Sequence, residues 1–261
     1  MLSFTKGKYS RSTLRRHFEG YLRNPPQVEE LRQKREVYLK IDAVYFGRDN
    51  CSLVYKAGKK VIYWSYGKRE NYLDYCRDFR EIERLGYIIL GATSDKHRSI
   101  IAAVKRVFSG IPHQYCLVHL QRSCQTLLTK RPETEAGKQL LELVECLNQI
   151  TNQYKRDILL RWFERYEKRH GEFIKEKSYG VNEEGRKTWW YTHKNLRRAF
   201  RTIKNSLENM FLYLEHMGLE KDTNGLEAEF THLKHKLRSH RGLRRWKRES
   251  FVSWYFYLKT R

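Results

Sequence analysis

The chain has 261 residues and a globular composition, 40% hydrophobic and 14% aromatic with no low-complexity tract, enough for one large domain or two modest ones. Its 53 Lys and Arg against 30 Asp and Glu leave a formal net charge of +23, which selects a polyanionic partner, nucleic acid ahead of membrane, and says nothing about fold. No apolar run approaches the roughly 20 residues of a bilayer span, no signal peptide opens the polar Met1–Ser10 segment, and five scattered cysteines without a C-x-x-C pair point to reduced thiols in a cytosolic or nuclear compartment.

Ser12–Leu22 reads as a short helix. Ser12 and Thr13 precede Leu14-Arg15-Arg16, which suits either a capped surface helix or the start of a DNA-reading one. Asn24-Pro25-Pro26 breaks it. From Glu36 the pattern changes period. Val37–Phe46, Asn50–Lys56 and Lys60–Tyr66 are rich in β-branched and aromatic residues, with turns at Gly47–Asn50 and Ala57-Gly58, and predict an antiparallel meander. Asn71–Leu85 predicts a helix ended by Gly86, Tyr87–Ala92 a buried strand, His97–Phe108 a second helix and His113–Leu120 a fifth strand. A meander followed by strands that arrive through helices is a mixed α/β sheet. Beyond Gln121 strands are expected to disappear: residues 121–218 read as helices with a turn at Val181–Gly185, and Asp222–Arg261 as one helix, a Gly242 break and an aromatic-rich end.

Three carboxylates stand at informative places. Asp42 sits inside the first strand, between Ile41 and Ala43, where a carboxylate is costly unless paired or bound to a metal; the alternative is an edge strand that turns Asp42 to water. Asp95 follows the Tyr87–Ala92 strand, where functional groups of open α/β sheets collect, although a helix N-cap accounts for it equally well. Glu227 opens a helix whose buried stripe is Leu226, Phe230, Leu233 and Leu237, and beside it runs a polar stripe of Glu227, Thr231, Lys234 and Arg238. Asn224 with Glu227 three residues on also fits a capping box. Clustered carboxylates are what metal-dependent nucleases and polynucleotidyl transferases use to hold a pair of hard cations.

Four stretches in this order resemble the bacterial insertion-sequence transposases related to the eukaryotic Mutator elements: Ile41-Asp42-Ala43, Thr93-Ser94-Asp95, Tyr115-Cys116-Leu117-Val118-His119-Leu120-Gln121-Arg122, and Thr223-Asn224-Gly225-Leu226-Glu227 leading into Leu233–Gly242. The Cys-x-x-His and Asn-x-x-Glu stretches are the specific parts. The resemblance implies a ribonuclease H-like α/β fold with a large all-helical insertion. It makes Asp42, Asp95 and Glu227 the ligands of Mg2+ or Mn2+, with Cys116, His119, Asn224, Lys234, Arg238 and Arg241 supporting the site or touching DNA. The expected division is a truncated N-terminal DNA-binding or linker segment (1–36), the first part of the catalytic core (37–120), the insertion (121–218) and the core completion with its basic end (219–261). Family members of this kind carry a larger N-terminal DNA-binding region than the 36 residues here.

The implied activity is metal-dependent strand cleavage and strand transfer at insertion-sequence ends. The implied partners are transposon-end and target DNA, bound by a homodimer or higher assembly, in the bacterial cytoplasm beside the nucleoid and away from membrane. A non-catalytic DNA-binding remnant and a stand-alone ribonuclease H-like nuclease are the alternatives. Two local ambiguities stay open. Asn205-Ser206-Leu207-Glu208 is a rival Asn-x-x-Glu, and Cys116 and His119 with His113 and Cys124 nearby offer a zinc half-site. Thr231–Arg261 holds ten Lys or Arg and one acid, Glu249, with Trp246, Trp254 and other aromatics interleaved; these aromatics suit either base stacking or a core.

Overall fold

The structure, a computed structural model, describes residues 8–240 and 242–260. Residues 1–7, which make up most of the polar Met1–Ser10 segment, Arg241, a candidate DNA contact, and Arg261 lie outside the described residues. The chain divides into two compact units: Met1–Ile89 with Asn224–Arg261, and Leu90–Thr223.

The first unit starts with α1 (Arg11–Arg23). Its cap is Ser10, whose side chain accepts from the Thr13 amide, and the helix begins at Arg11, one residue ahead of the Ser12 expected from sequence. Three strands follow as an antiparallel meander: β1 (Arg35–Tyr45), β2 (Cys51–Ala57) and β3 (Lys60–Gly67). The alternation of side chains across a strand gives this sheet two covered faces. On one, α2 (Tyr72–Arg84), capped by Asn71, sets Phe79 edge-on to Tyr55. Asp78 of α2 is fully buried there and accepts from Tyr55 (2.9 Å), Ser65 and Arg77; burial pushes its carboxyl above the ordinary range against the pull of those donors. On the other face lie α8 (Asn224–Arg238) and α9 (Arg245–Thr260), named in chain order. Leu226, Phe230 and Leu233 join Val44, Val54, Val61, Trp64, Val252 and Phe256 in one core. Helix α1 rests on α9 through Lys247–Glu19 and through Trp254, whose indole donates to the Tyr21 carbonyl at 2.9 Å.

β4 (Tyr87–Ser94) begins in the first unit and continues into the second, and β5 (His113–Tyr115) pairs with it in parallel after α3 (Arg98–Val107). The strand order is β3-β2-β1-β4-β5, a mixed α/β sheet. β5 is shorter than the His113–Leu120 strand read from sequence, because α4 (Leu117–Leu128) takes over at once: Leu117, Leu120, Cys124 and Leu128 recur at helical spacing and all are buried. Helices α5 (Glu135–Cys146), α6 (Gln153–Lys175) and α7 (Lys194–Lys204) complete the body of the second unit, around Leu140, Val144, Leu159, Phe163, Phe200 and Ile203. The expectation that residues 121–218 are all helical is corrected here. β6 (Lys177–Val181) and β7 (Lys187–Tyr191) form an antiparallel hairpin, a separate two-stranded sheet.

Candidate active site

In the first unit Asp42 sits on β1 opposite Val54 of β2. β1 lies between β2 and β4 and is not an edge strand, which removes the water-facing alternative. Alternation puts Lys40, Asp42 and Val44 on one face with their partners Lys56, Val54 and Ser52. Val44 and Val54 pack against Leu226, Phe230 and Leu233, so this is the face that α8 covers. Asp42 is half-buried, and its Oδ1 accepts the Ala43 amide at 2.8 Å.

The first turn of α8 is held against the same face. Lys56 Nζ donates to the Gly225 carbonyl at 3.2 Å and lies 3.8 Å from Glu229. A Cβ at Gly225 would stand 3.3 Å from Lys40 Nζ and 3.6 Å from Lys56 Nζ, so a glycine lets the helix approach two buried lysines. Glu227, half-buried, follows two residues later, and its carbonyl accepts from Thr231 Oγ1. Asn224 is the first residue of α8. Lys234 and Arg238 are exposed further along α8.

In the second unit Asp95 follows β4, as expected. It does not cap α3: the cap position is His97, and Asp95 Oδ1 accepts the His97 amide at 3.2 Å. Asp95, Lys96, His97, His119, Arg198 and Thr202 line part of an open cleft of about 550 Å³. Lys96 Nζ is tied to the far end of α7 through the carbonyls of Thr202 (3.3 Å) and Asn205 (3.1 Å) and through Ser206 Oγ (2.8 Å), and burial lowers its pKa.

Cys116 is the residue before α4, the helix that carries His119. Its amide donates to the Ser94 carbonyl at 2.7 Å, and its buried thiol accepts from the Thr223 amide (3.4 Å) and hydroxyl (3.5 Å), the latter also 3.5 Å from His119 Nδ1. Burial works to raise the thiol's pKa, but hydrogen bonds from His119 and Thr223 outweigh it and the net shift is downward. The other half of the imagined zinc site is engaged elsewhere: Cys124 Sγ points at the Ala199 carbonyl, and His113 Nε2 meets Ser94 Oγ at 2.8 Å. The rival Glu208 lies exposed on a short 3-10 segment, Leu207–Asn209.

Carboxylate oxygens suit a hard divalent cation in kind. Among the described residues, however, no group of three or more His, Cys, Asp or Glu is arranged to hold a metal ion. Asp42 and Glu227 belong to the first unit and Asp95 to the second. Sequence reasoning passed over Lys40, Lys56, Ser94 and Thr223. Thr223 was legible as the residue that opens the Thr-Asn-Gly-Leu-Glu stretch; the lysines were hidden, since an alternating strand gives no sign of which face a helix will cover.

The sheet is mixed, with Asp42 on β1, Asp95 just past the end of β4 and Glu227 on α8. The family model described as Transposase IS66 family matches residues 101–236, a little over half of the chain, and takes in Cys116, His119, Asn224, Glu227 and Lys234. The chain belongs to the IS66 family of transposases. The match bears out an insertion-sequence transposase and gives no support to the Mutator-related affiliation read from the motifs. No curated protein matches the chain. The family implies DNA as the partner, and among the described residues no helix is long and apolar enough to cross a membrane.

Proposed function

We propose that this chain is the catalytic core of a DDE-type transposase, which cuts a strand at an insertion-sequence end and then joins the freed 3′-hydroxyl to target DNA. Asp42, Asp95 and Glu227 are its ligands for Mg2+ or Mn2+. One observation carries the reading: Asp42 lies on the face of β1 that α8 covers, and α8 is the helix that bears Glu227. The strand order, an antiparallel β1–β3 meander with β4 and β5 parallel beyond it, supports a ribonuclease H-like core.

The chain's own contribution is orientation. The Ala43 amide fixes one oxygen of Asp42 and the His97 amide one of Asp95. Lys56 and the close approach at Gly225 fix the start of α8, and with it the position from which Glu227 acts. His119 lines the cleft with Asp95, 3.5 Å from the Thr223 hydroxyl, and in this reading it donates to a DNA phosphate. Asp42, Asp95 and Glu227 would hold divalent ions, which would supply activation of the attacking oxygen and stabilisation of the leaving one. Lys234, Arg238 and Arg241 supply backbone contacts, and assembly as a homodimer or higher oligomer on DNA belongs to the same proposal.

The test is strand cleavage and joining on a pre-nicked transposon end with Mg2+ or Mn2+. Asp42→Asn, Asp95→Asn and Glu227→Gln should each abolish both steps while DNA binding persists, and the losses should not add, because each disables one shared site. Activity that survives all three rules out these carboxylates. A parent protein that binds and never cuts is a non-catalytic remnant.

A further inference from the structure

The β6–β7 hairpin contributes no residue to either core, and no residue in Lys177–Tyr191 is buried. Its register pairs Lys177 with Tyr191, Tyr179 with Trp189 and Val181 with Lys187, so these six side chains share one face. Tyr179 is 76% exposed, Val181 66% and Trp189 49%. Side chains of this size gain nothing for the fold while in water. Cations frame them: Lys177 Nζ sits 4.2 Å from the Trp189 ring centre and the Arg197 guanidinium 3.8 Å from that of Tyr191. The other face carries Trp190, itself 50% exposed, whose ring lies so close to Gly180 that a Cβ there would meet it at 3.0 Å.

The hairpin is held at both ends. At the tip Asn182 Oδ1 accepts the amides of Glu184 (3.2 Å) and Arg186 (2.8 Å), and Gly185 takes a positive φ of 76°. At the base the Thr192 amide donates to Glu176, and Phe173 stacks on His193 at 3.8 Å. The stretch from Lys177 to Lys204 holds Lys177, Arg186, Lys187, Lys194, Arg197, Arg198, Arg201 and Lys204 against only Glu183 and Glu184, both in the turn and off the aromatic face.

We infer that this face is a stacking platform for unpaired bases of DNA. Exposed rings between cations match a strand whose bases alternate with phosphates, and a base offers its π-face only when it is out of the duplex stack. The charge of the segment selects nucleic acid over an apolar protein partner. The inference stands apart from the metal-ligand reading, since it concerns binding alone.

The experiment uses the full chain and three probes of equal length: an oligothymidylate, a blunt duplex, and a duplex with an unpaired end. Tyr179→Ala and Trp189→Ala, on exposed positions, should each lower affinity for the oligothymidylate and the unpaired end roughly tenfold. Blunt-duplex affinity should change less than about twofold, and Trp189→Phe should keep most of the single-strand affinity. Lys187→Gln should reduce the single-strand salt slope by about 0.7, whereas the aromatic variants leave it unchanged. Unfolding midpoints confirm that the variants stay folded. Equal losses on all three probes, unchanged affinity, or no single-strand binding by the parent overturns the inference. So does a Trp189→Ala loss that tracks dissociation of a dimer in sedimentation, which would assign the face to a second copy of the chain.

Discussion

Lys40 and Lys56 are direct neighbours across β1 and β2, and both are buried. Like charges so placed are costly unless the surroundings supply acceptors; the Gly225 carbonyl and Glu229 do so for Lys56. Lys56→Met should therefore destabilise the protein by about 2 kcal/mol, read as a lower urea midpoint at unchanged slope, and the loss should shrink in a Glu229→Gln background. A second residue-scale prediction concerns His113. Burial drops its pKa from 6.5 to about 4, and its ring contacts Ser94 Oγ. The unfolded imidazole takes up its proton near pH 6.5, while the folded one refuses it until about pH 4. This contribution is therefore complete above pH 6.5 and is lost as pH falls from there toward 4, by about 3 kcal/mol at most. His113→Gln should flatten that acid-side loss in urea titrations at stepped pH; an unchanged profile would show that the histidine titrates normally.

At the scale of elements, α8 carries the argument, because one face builds the core and the adjoining one carries the proposed chemistry. Leu233 is fully buried against Val44 and Val54, and Lys234 beside it is exposed. Leu233→Ala should cost about 3 kcal/mol and Lys234→Ala less than about 0.5 in equilibrium unfolding. The amphipathic stripe of α8 was legible in sequence, as were β1 to β4 to within about two residues, since period-2 alternation bounded by glycine turns is a strong signal. The misread elements have physical reasons. Tyr115-Cys116-Leu117-Val118 is apolar enough for either a strand or a buried helix start, and only the later Cys124 and Leu128 reveal the helical period. The β6–β7 hairpin has no core-facing side, so burial never enforced an apolar alternation on it; the usable sign was Asn182 with Gly185 between Tyr179-x-Val181 and Trp189-x-Tyr191. Likewise Trp254, read as a possible stacking residue, spends its indole N–H on Tyr21 of α1, a contact between distant segments that no local pattern announces.

At the scale of the whole molecule, the net charge of +23 and the IS66 match agree on DNA as partner. Affinity for duplex DNA should fall linearly on a log–log salt plot, with a slope near −0.9 per neutralised phosphate, and Lys234→Gln and Arg238→Gln should each take about 0.9 from it without altering sequence preference. A flat salt response would contradict a basic DNA surface. The central claim is that Asp42, Asp95 and Glu227, far apart in the chain, bind the same ions, and the most direct measurement is metal-directed backbone cleavage. With Fe2+ in place of Mg2+ on the DNA-bound protein, ascorbate and peroxide cut the polypeptide only next to the metal. The account predicts cuts beside all three residues, suppressed together by excess Mg2+ and lost together in Asp42→Asn. Cuts confined to the neighbourhood of one carboxylate, or cuts at Asp95 and Glu227 that persist in Asp42→Asn, would contradict it.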